Sequence, residues 1–187
     1  GGVPIMIKRE LYMNRIRPFI GGELIKVMTG IRRSGKSVML ELIKEELAEA
    51  GVAPSQMISI NFEDMRYSHL QTATALHDEI IKRAEGIEGK AYLFFDEIQE
   101  VEGWEKCVNS LRVALDCDIY ITGSNAKLLS GELATYIGGR YVEFVIYPFS
   151  FAEFLELYHT IAPSDSIQQC FQKYLLAGGM PYLANLR

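Results

Sequence analysis

Gly30-Ile31-Arg32-Arg33-Ser34-Gly35-Lys36-Ser37 stands between a β-rich run, residues 24–29 (LIKVMT), and a segment of helical period, residues 37–50. All fixed positions of the pattern G-x-x-x-x-G-K-[ST] are met, in the strand-to-helix setting that its chemistry requires. The glycines let the backbone curl until successive N–H groups converge on an anion. The positive end of the following helix dipole favours the same charge. In such a loop Lys36 reaches the β- and γ-phosphates of a nucleotide and the Ser37 hydroxyl ligates Mg²⁺. Val38 continues the first helical turn beside them. A lysine-bearing glycine turn that merely caps a helix would share the pattern, but not the acidic strand end downstream.

That strand end is Tyr92-Leu93-Phe94-Phe95-Asp96-Glu97, four apolar residues followed by two carboxylates. Beside a phosphate loop, the first acid is placed to bind Mg²⁺ and the second to polarise an attacking water. A strand buried on both faces delivers such acids at its C-terminal edge, where open α/β sheets bind ligands. A phosphotransferase acting on a small acceptor does not need a water-activating glutamate next to its metal acid, so the pair favours hydrolysis.

Working outward, residues 57–62 (MISINF), 91–95 (AYLFF), 119–122 and 141–146 are further strand candidates. Helical stripes lie between them. Val38, Leu42, Ile43 and Leu47 share a face that stops at Gly51; Leu76, Ile80 and Ile81 face inward from residues 70–85; Trp104, Cys107, Val108, Leu111 and Leu115 recur at helical spacing. Strands alternating with helices predict parallel strands with helical crossovers, an α/β fold covered on both faces. The tail changes character. Ser150 and Glu153 are spaced as a capping box opening a helix with Phe151, Phe154, Leu155 and Tyr158. Ser164 or Asp165 is expected to cap the next, with Ile167, Cys170, Phe171, Tyr174 and Leu175 as its stripe. The expected organisation is a P-loop core over 1–148 and the start of a helical lid over 149–187, cut short at Arg187.

Composition narrows the classes. A chain of 187 residues with 49% hydrophobic and 23% charged side chains builds a core without disulfides and is not a disordered polymer. Its apolar runs fall far short of the ~20 residues needed to span a bilayer, so no membrane role is expected. Cys107, Cys117 and Cys170 form no CxxC pair and read as core thiols of the cytoplasm. His69, His77 and His159 form no cluster at zinc spacing. A net charge of −5 argues against nonspecific nucleic-acid binding by the whole surface and leaves a local patch open.

The segments GIRRSGKS (30–37), FFDEIQEVEGWEKCVNSLR (94–112), ITGSN (121–125), GRYVEFVIYPFSFAEF (139–154) and GGMPYL (178–183) occur in this order. Together they resemble the AAA+ superfamily of ATPases. Within it the chain is most similar to prokaryotic AAA-type ATPases that join this region to a C-terminal domain of poorly defined, often nuclease-like, function. The resemblance spans residues 8–183 and implies the P-loop NTPase three-layer fold, ATP as nucleotide and Mg²⁺ as cofactor. It implies that Asn61 either holds the catalytic glutamate inactive until a partner binds or simply starts a turn. Asn125, after Ser124, takes the position that senses the γ-phosphate. Arg140 is either an arginine finger acting on a neighbouring subunit's nucleotide or a surface arginine ending a glycine turn. Apart from the resemblance, which gives them no defined role, Arg32 and Arg33 are expected to grip phosphate or a nearby acid. An adenine pocket is expected from the segment before Leu24, with Ile16, Phe19 and Ile20 as candidates.

The expected activity is Mg-dependent ATP binding and hydrolysis, with Lys36 and Ser37 on phosphate and metal, Asp96 on metal and Glu97 as catalytic base. A homo-oligomer is the expected assembly, with a protein or DNA partner engaged through the missing C-terminal part. A slow nucleotide-gated binding module and a phosphotransferase are the alternatives.

Overall fold

The computed structural model describes residues 3–31, 34–124, 128, 137–147 and 164–176. Helix α1 (Val3–Ile16) runs through a short 3-10 turn at Arg17–Phe19 into strand β1 (Ile25–Thr29). Helix α2 (Lys36–Glu49), strand β2 (Met57–Asn61) and helix α3 (Ala73–Ala84) follow, then β3 (Ala91–Asp96), α4 (Trp104–Ala114), β4 (Cys117–Gly123), β5 (Tyr141–Val145) and α5 (Ile167–Leu176). The sheet order is β2-β3-β4-β1-β5, and every pairing is parallel. The strand positions match the expectation. Both faces are covered, as parallel sheets require.

Side chains alternate along each strand and so feed two separate cores. Leu93 and Phe95 point to one face and join Val27, Ile60, Ile119 and Ile121 beneath α3 and α4. Phe94 points to the other and stacks on Tyr120, ring centroids 5.0 Å apart, in the layer closed by α1 and α2. Three layers result, helices on each side of one sheet.

Local detail departs from the sequence reading in three places. The buried face of α2 is Met39, Leu40, Ile43 and Leu47 together with Lys36, and Val38 and Leu42 are only partly buried. Helix α5 is capped by Ser166 and not by Ser164 or Asp165. The Gln169 amide donates to Ser166 Oγ at 3.2 Å and the Gln169 side chain accepts from the Ser166 N–H at 2.7 Å, a complete capping box. Ile167 is therefore the first helical residue and is exposed, while Cys170 is buried. Helix α1 has no counterpart in the sequence reading, since its buried Tyr12, Met13 and Ile16 are scattered among charges. The expected helix at 150–158 lies outside the described residues. Among the described residues, no helix is long and apolar enough to cross a membrane.

Candidate nucleotide site

The end of β1 opens directly into the glycine loop. At Gly30 a Cβ would stand 2.3 Å from the Ile146 carbonyl oxygen and 2.7 Å from Ser34 Oγ, so only glycine lets the loop pass under the end of β5. Gly35 is left-handed, at φ 101, and serves as N-cap of the 14-residue α2 without a side-chain cap. The first amides of α2 thus stay free to bind an anion. Ser34 Oγ is buried beside them with no partner. Uncapped amides and an orphaned hydroxyl are what a phosphate group would satisfy, and the donor set fits one. Lys36 is buried, and its Nζ donates to the carbonyls of Gly30 at 2.9 Å and Ile31 at 3.0 Å. Arg32 and Arg33 lie outside the described residues.

The acid pair ends β3, which is separated from β1 by β4 alone. Ser37 Oγ donates to Asp96 Oδ2 at 2.7 Å. The sheet order explains how the two motifs meet: β4 lies between β1 and β3, so its last residues bridge them. Thr122, fully buried on β4, donates to Asp96 Oδ1 at 2.5 Å and accepts from the Glu97 N–H at 2.9 Å. Replacing Thr122 by Val keeps the shape but strands a carboxylate and an amide. We expect a loss of about 1–3 kcal/mol in denaturant unfolding, the usual cost of buried groups left unpaired. A change within error would show that Thr122 does not hold the pair.

Glu97 is the one non-glycine residue with positive φ among the described residues (φ 57, ψ 54). Such a conformation in a bulky side chain marks strain held by its surroundings. Its Oε1 is 3.5 Å from Lys36 Nζ. Its Oε2 accepts from Gln99 Nε2 at 2.5 Å, Ser124 Oγ at 2.9 Å and the Ser124 N–H at 3.2 Å. Burial pushes this carboxyl up, but the hydrogen bonds from Gln99 and Ser124 and the Lys36 charge outweigh it and hold the acid below its ordinary range. The stabilisation that follows is present above the usual carboxylate range and is lost as pH falls through the lowered value.

The remaining expected residues fall as follows. Asn61 is exposed, in register with Asp96, and its side chain accepts from the Glu63 N–H at 3.0 Å in a turn; Glu97 is held instead by Gln99 and Ser124. Asn125 lies outside the described residues. Arg140 is exposed and precedes β5, with its carbonyl accepting from Ile25 N at 3.0 Å. That is the opposite end of the parallel sheet from the glycine loop, about 15 Å away over the five residues of β5. Ile16 is fully buried, while Phe19 and Ile20 pack on the same core, Phe19 edge-on to Phe144 at 5.7 Å. Ile16 is thus a core residue and not a pocket wall. Thr122 and Gln99 were invisible in the sequence reading; the only signals were a hydroxyl ending an apolar strand and an amide two residues beyond the acids.

A glycine loop after β1 and an acid pair after β3, in a parallel sheet of this order, define a P-loop nucleotide-binding domain of the AAA+ ATPase class. Residues 23–155 match the family model described as AAA domain, and the chain belongs to that family. An uncharacterized protein of Haemophilus influenzae is 44% identical over 176 residues, covering 94% of this chain and 44% of the relative. The uncharacterized protein MJ1544 of Methanocaldococcus jannaschii is 36% identical over 166 residues, covering 84% of this chain and 35% of its own length. The chain therefore spans less than half the length of these relatives. In fold it is similar to the Thermotoga maritima RuvB Holliday junction branch migration motor (TM-score 0.56, 14% identity, 98% of this chain and 59% of that one). It is likewise similar to the Aeropyrum pernix ORC1 protein in complex with DNA (TM-score 0.56, 17% identity, 83% and 49%).

Proposed function

We propose that this domain binds Mg-ATP and hydrolyses it. The carrying observation is the contact of Ser37 Oγ with Asp96 at 2.7 Å, which joins the phosphate loop to the acid pair with Lys36 and Glu97 3.5 Å apart beside it. Lys36 would leave the Gly30 and Ile31 carbonyls for the β- and γ-phosphates, while the uncapped amides of α2 receive phosphate oxygens. Ser37 and Asp96 would hold Mg²⁺, both being hard oxygen donors. Mg²⁺ keeps several waters and would take its other ligands from phosphate and water. Bound there, Mg²⁺ supplies charge neutralisation at the phosphate oxygens. Glu97 orients the attacking water and receives its proton.

In the same reading, Arg140 acts on a neighbouring subunit's nucleotide, because it is too far from its own. Asn125 senses the γ-phosphate, and Arg32 and Arg33 add charge at the loop. Asn61 is an exchangeable partner for Glu97 in another state of the cycle. Residues 1–148 form the ATPase core and 149–187 begin the lid. The output of hydrolysis then belongs to the C-terminal part, with a protein or DNA partner; of the proteins similar in fold, RuvB is a Holliday junction branch migration motor and ORC1 is seen in complex with DNA.

The test is phosphate release from Mg-ATP by the full-length protein over a wide range of protein concentrations. The specific rate should rise with concentration in the wild type and lose that rise in Arg140→Ala. A specific rate that is flat in both would remove the trans-acting arginine and keep the enzyme. The second reading, a slow nucleotide-gated module, rests on the three bonds that Glu97 Oε2 accepts from Gln99 and Ser124, which a turnover-competent glutamate would have to give up in part.

A further inference from the structure

Helix α1 contributes no residue to the glycine loop or the acid pair, yet it is fastened to α2, which follows the loop, and to the end of β5, which lies against it. Met13 and Ile16 share a core with Met39, Leu40 and Ile43 of α2. Arg17, one residue beyond the helix, joins the two helices: its Nε and Nη2 donate to Glu46 of α2 at 2.9 and 2.5 Å, and its Nη1 and Nη2 to Glu10 of α1 at 3.0 and 2.7 Å. At the other attachment the Tyr147 N–H donates to the Tyr12 hydroxyl at 3.0 Å, and Tyr12 is buried.

That last contact bears on the loop. The Ile146 N–H donates to the Thr29 carbonyl at 2.7 Å, so β5 stays paired with β1 up to the residue before Gly30. The carbonyl oxygen of the same Ile146 lies 2.3 Å from where a Gly30 Cβ would stand, and Ser34 Oγ lies 2.7 Å from that point. Gly30 thus touches both the end of β5 and the orphaned hydroxyl that a phosphate would satisfy. A continuous run of contacts leads from Tyr12 through Tyr147, Ile146 and Gly30 to Ser34. The Tyr147 side chain is 60% exposed, so the bond to its amide, and not burial of its ring, ties this segment down. A loop that starts on glycine needs such confinement, because glycine samples more backbone conformations than any other residue. The need grows when phosphate draws Lys36 Nζ from the Gly30 and Ile31 carbonyls, since the start of the loop then loses two bonds.

We propose that Tyr12 is a positioning residue of the phosphate site: by holding the Tyr147 amide it keeps the Ile146 carbonyl against Gly30, and with it the loop in the shape that takes phosphate. The inference rests on the reading that this loop binds the phosphates of Mg-ATP. Tyr12 touches no phosphate; it acts through Tyr147 and Ile146. A site held ready binds at full strength, whereas one that is competent for only part of the time loses affinity in proportion.

Tyr12→Phe removes the acceptor and keeps the ring in the core. Calorimetry on the full-length protein compares it with the wild type, using Mg²⁺ with a nonhydrolysable ATP analogue and, separately, with inorganic tripolyphosphate, which carries no base. Affinity for both should fall by about three- to tenfold, the span that one neutral hydrogen bond commands. A fall for the ATP analogue alone would place Tyr12 at the base and overturn the inference. A merely structural Tyr12 would lower Tm and leave the affinity of the folded protein as it was. Equal affinities in wild type and Tyr12→Phe, with binding lost in Lys36→Ala, therefore overturn the inference alone. Binding that survives Lys36→Ala removes the loop as the phosphate site and overturns both readings. Should Tyr12→Phe fail to fold, amide exchange in the wild type decides. The Tyr147 N–H should exchange several-fold more slowly with tripolyphosphate bound, because coupling between two sites is reciprocal. An unchanged exchange rate overturns the inference.

Discussion

Glu97→Gln should lower the rate of phosphate release by about 10²–10⁴-fold, the usual worth of a positioned general base, while leaving Mg-ATP bound. The substitution keeps length and shape but removes the basic oxygen. It also removes the charge that faces Lys36 at 3.5 Å, so nucleotide affinity should hold or rise. Glu97 Oε2 accepts from Gln99 and from both donors of Ser124, and the substituted side chain would keep these bonds only by presenting its oxygen to them. Fold and binding are therefore retained and turnover is lost. Comparison of phosphate release with calorimetric binding of Mg-ATP checks this. Equal rates in the two proteins would remove Glu97 from the chemistry, whatever binds at the loop.

The second large effect is structural and far from that site. Lys26 and Asp118 are each the second residue of a strand, β1 and β4, and both side chains are fully buried. Their ion pair is tied down on every side. Asp118 accepts from Tyr120 OH at 2.5 Å and from the Gly21 N–H at 2.8 Å, and Lys26 donates to the Gly22 carbonyl at 2.8 Å. The Lys26 ammonium also lies 5.3 Å from the Tyr120 ring centroid. Burial pulls that ammonium below the ordinary lysine range, against Asp118, which draws it up. Asp118→Ala leaves a buried cation, a phenol and an amide without their acceptor. A loss of about 3–5 kcal/mol is expected, as for other buried pairs broken from one side. For a domain of this size that is a fall of roughly 6–20 °C in Tm. The double change Lys26→Met with Asp118→Leu should recover only the part owed to the stranded cation, because the Tyr120 hydroxyl, the Gly21 N–H and the Gly22 carbonyl still lack their partners. Thermal unfolding of the three proteins is the check. A loss below ~1 kcal/mol in Asp118→Ala would show that water or relaxation replaces the carboxylate, and that the pair does not hold the Gly21–Gly22 turn to β4.

These two sites also mark how far the sequence could be read. The glycine loop and the Asp96–Glu97 pair were legible because each is a local pattern: spacing alone places glycines, lysine, hydroxyl and acids on a strand end. The strands were legible for the same reason, as apolar runs bounded by turns. What depends on which strands are neighbours was not. Thr122 matters because β4 lies between β1 and β3, and no pattern within residues 117–123 states that. Lys26 reads as one ordinary cation of several, although a charge within a strand buried on both faces should have asked for a partner, and Asp118 sits at the same position of another such strand. The buried face of α2 shares Ile43 and Leu47 with the sequence reading but takes Met39 and Leu40 in place of Val38 and Leu42, and it includes Lys36, whose polar type gives no sign of burial. Helix α1 was missed because Lys8, Arg9, Glu10, Asn14 and Arg15 interrupt its apolar residues. Its Tyr12 hydroxyl nevertheless accepts from the Tyr147 N–H at 3.0 Å, so α1 braces the end of β5 over Gly30. Arg17 adds a bond to Glu46 of α2 at 2.9 Å.

A crystal structure of the full-length protein with Mg²⁺ and a nonhydrolysable ATP analogue tests the proposed site most directly. Lys36 Nζ should have left the Gly30 and Ile31 carbonyls for the β- and γ-phosphates, with Ser34 Oγ satisfied and the metal held by Ser37 and Asp96. A nucleotide bound elsewhere, or one bound at the loop while Lys36 keeps both carbonyls, would contradict the proposed chemistry.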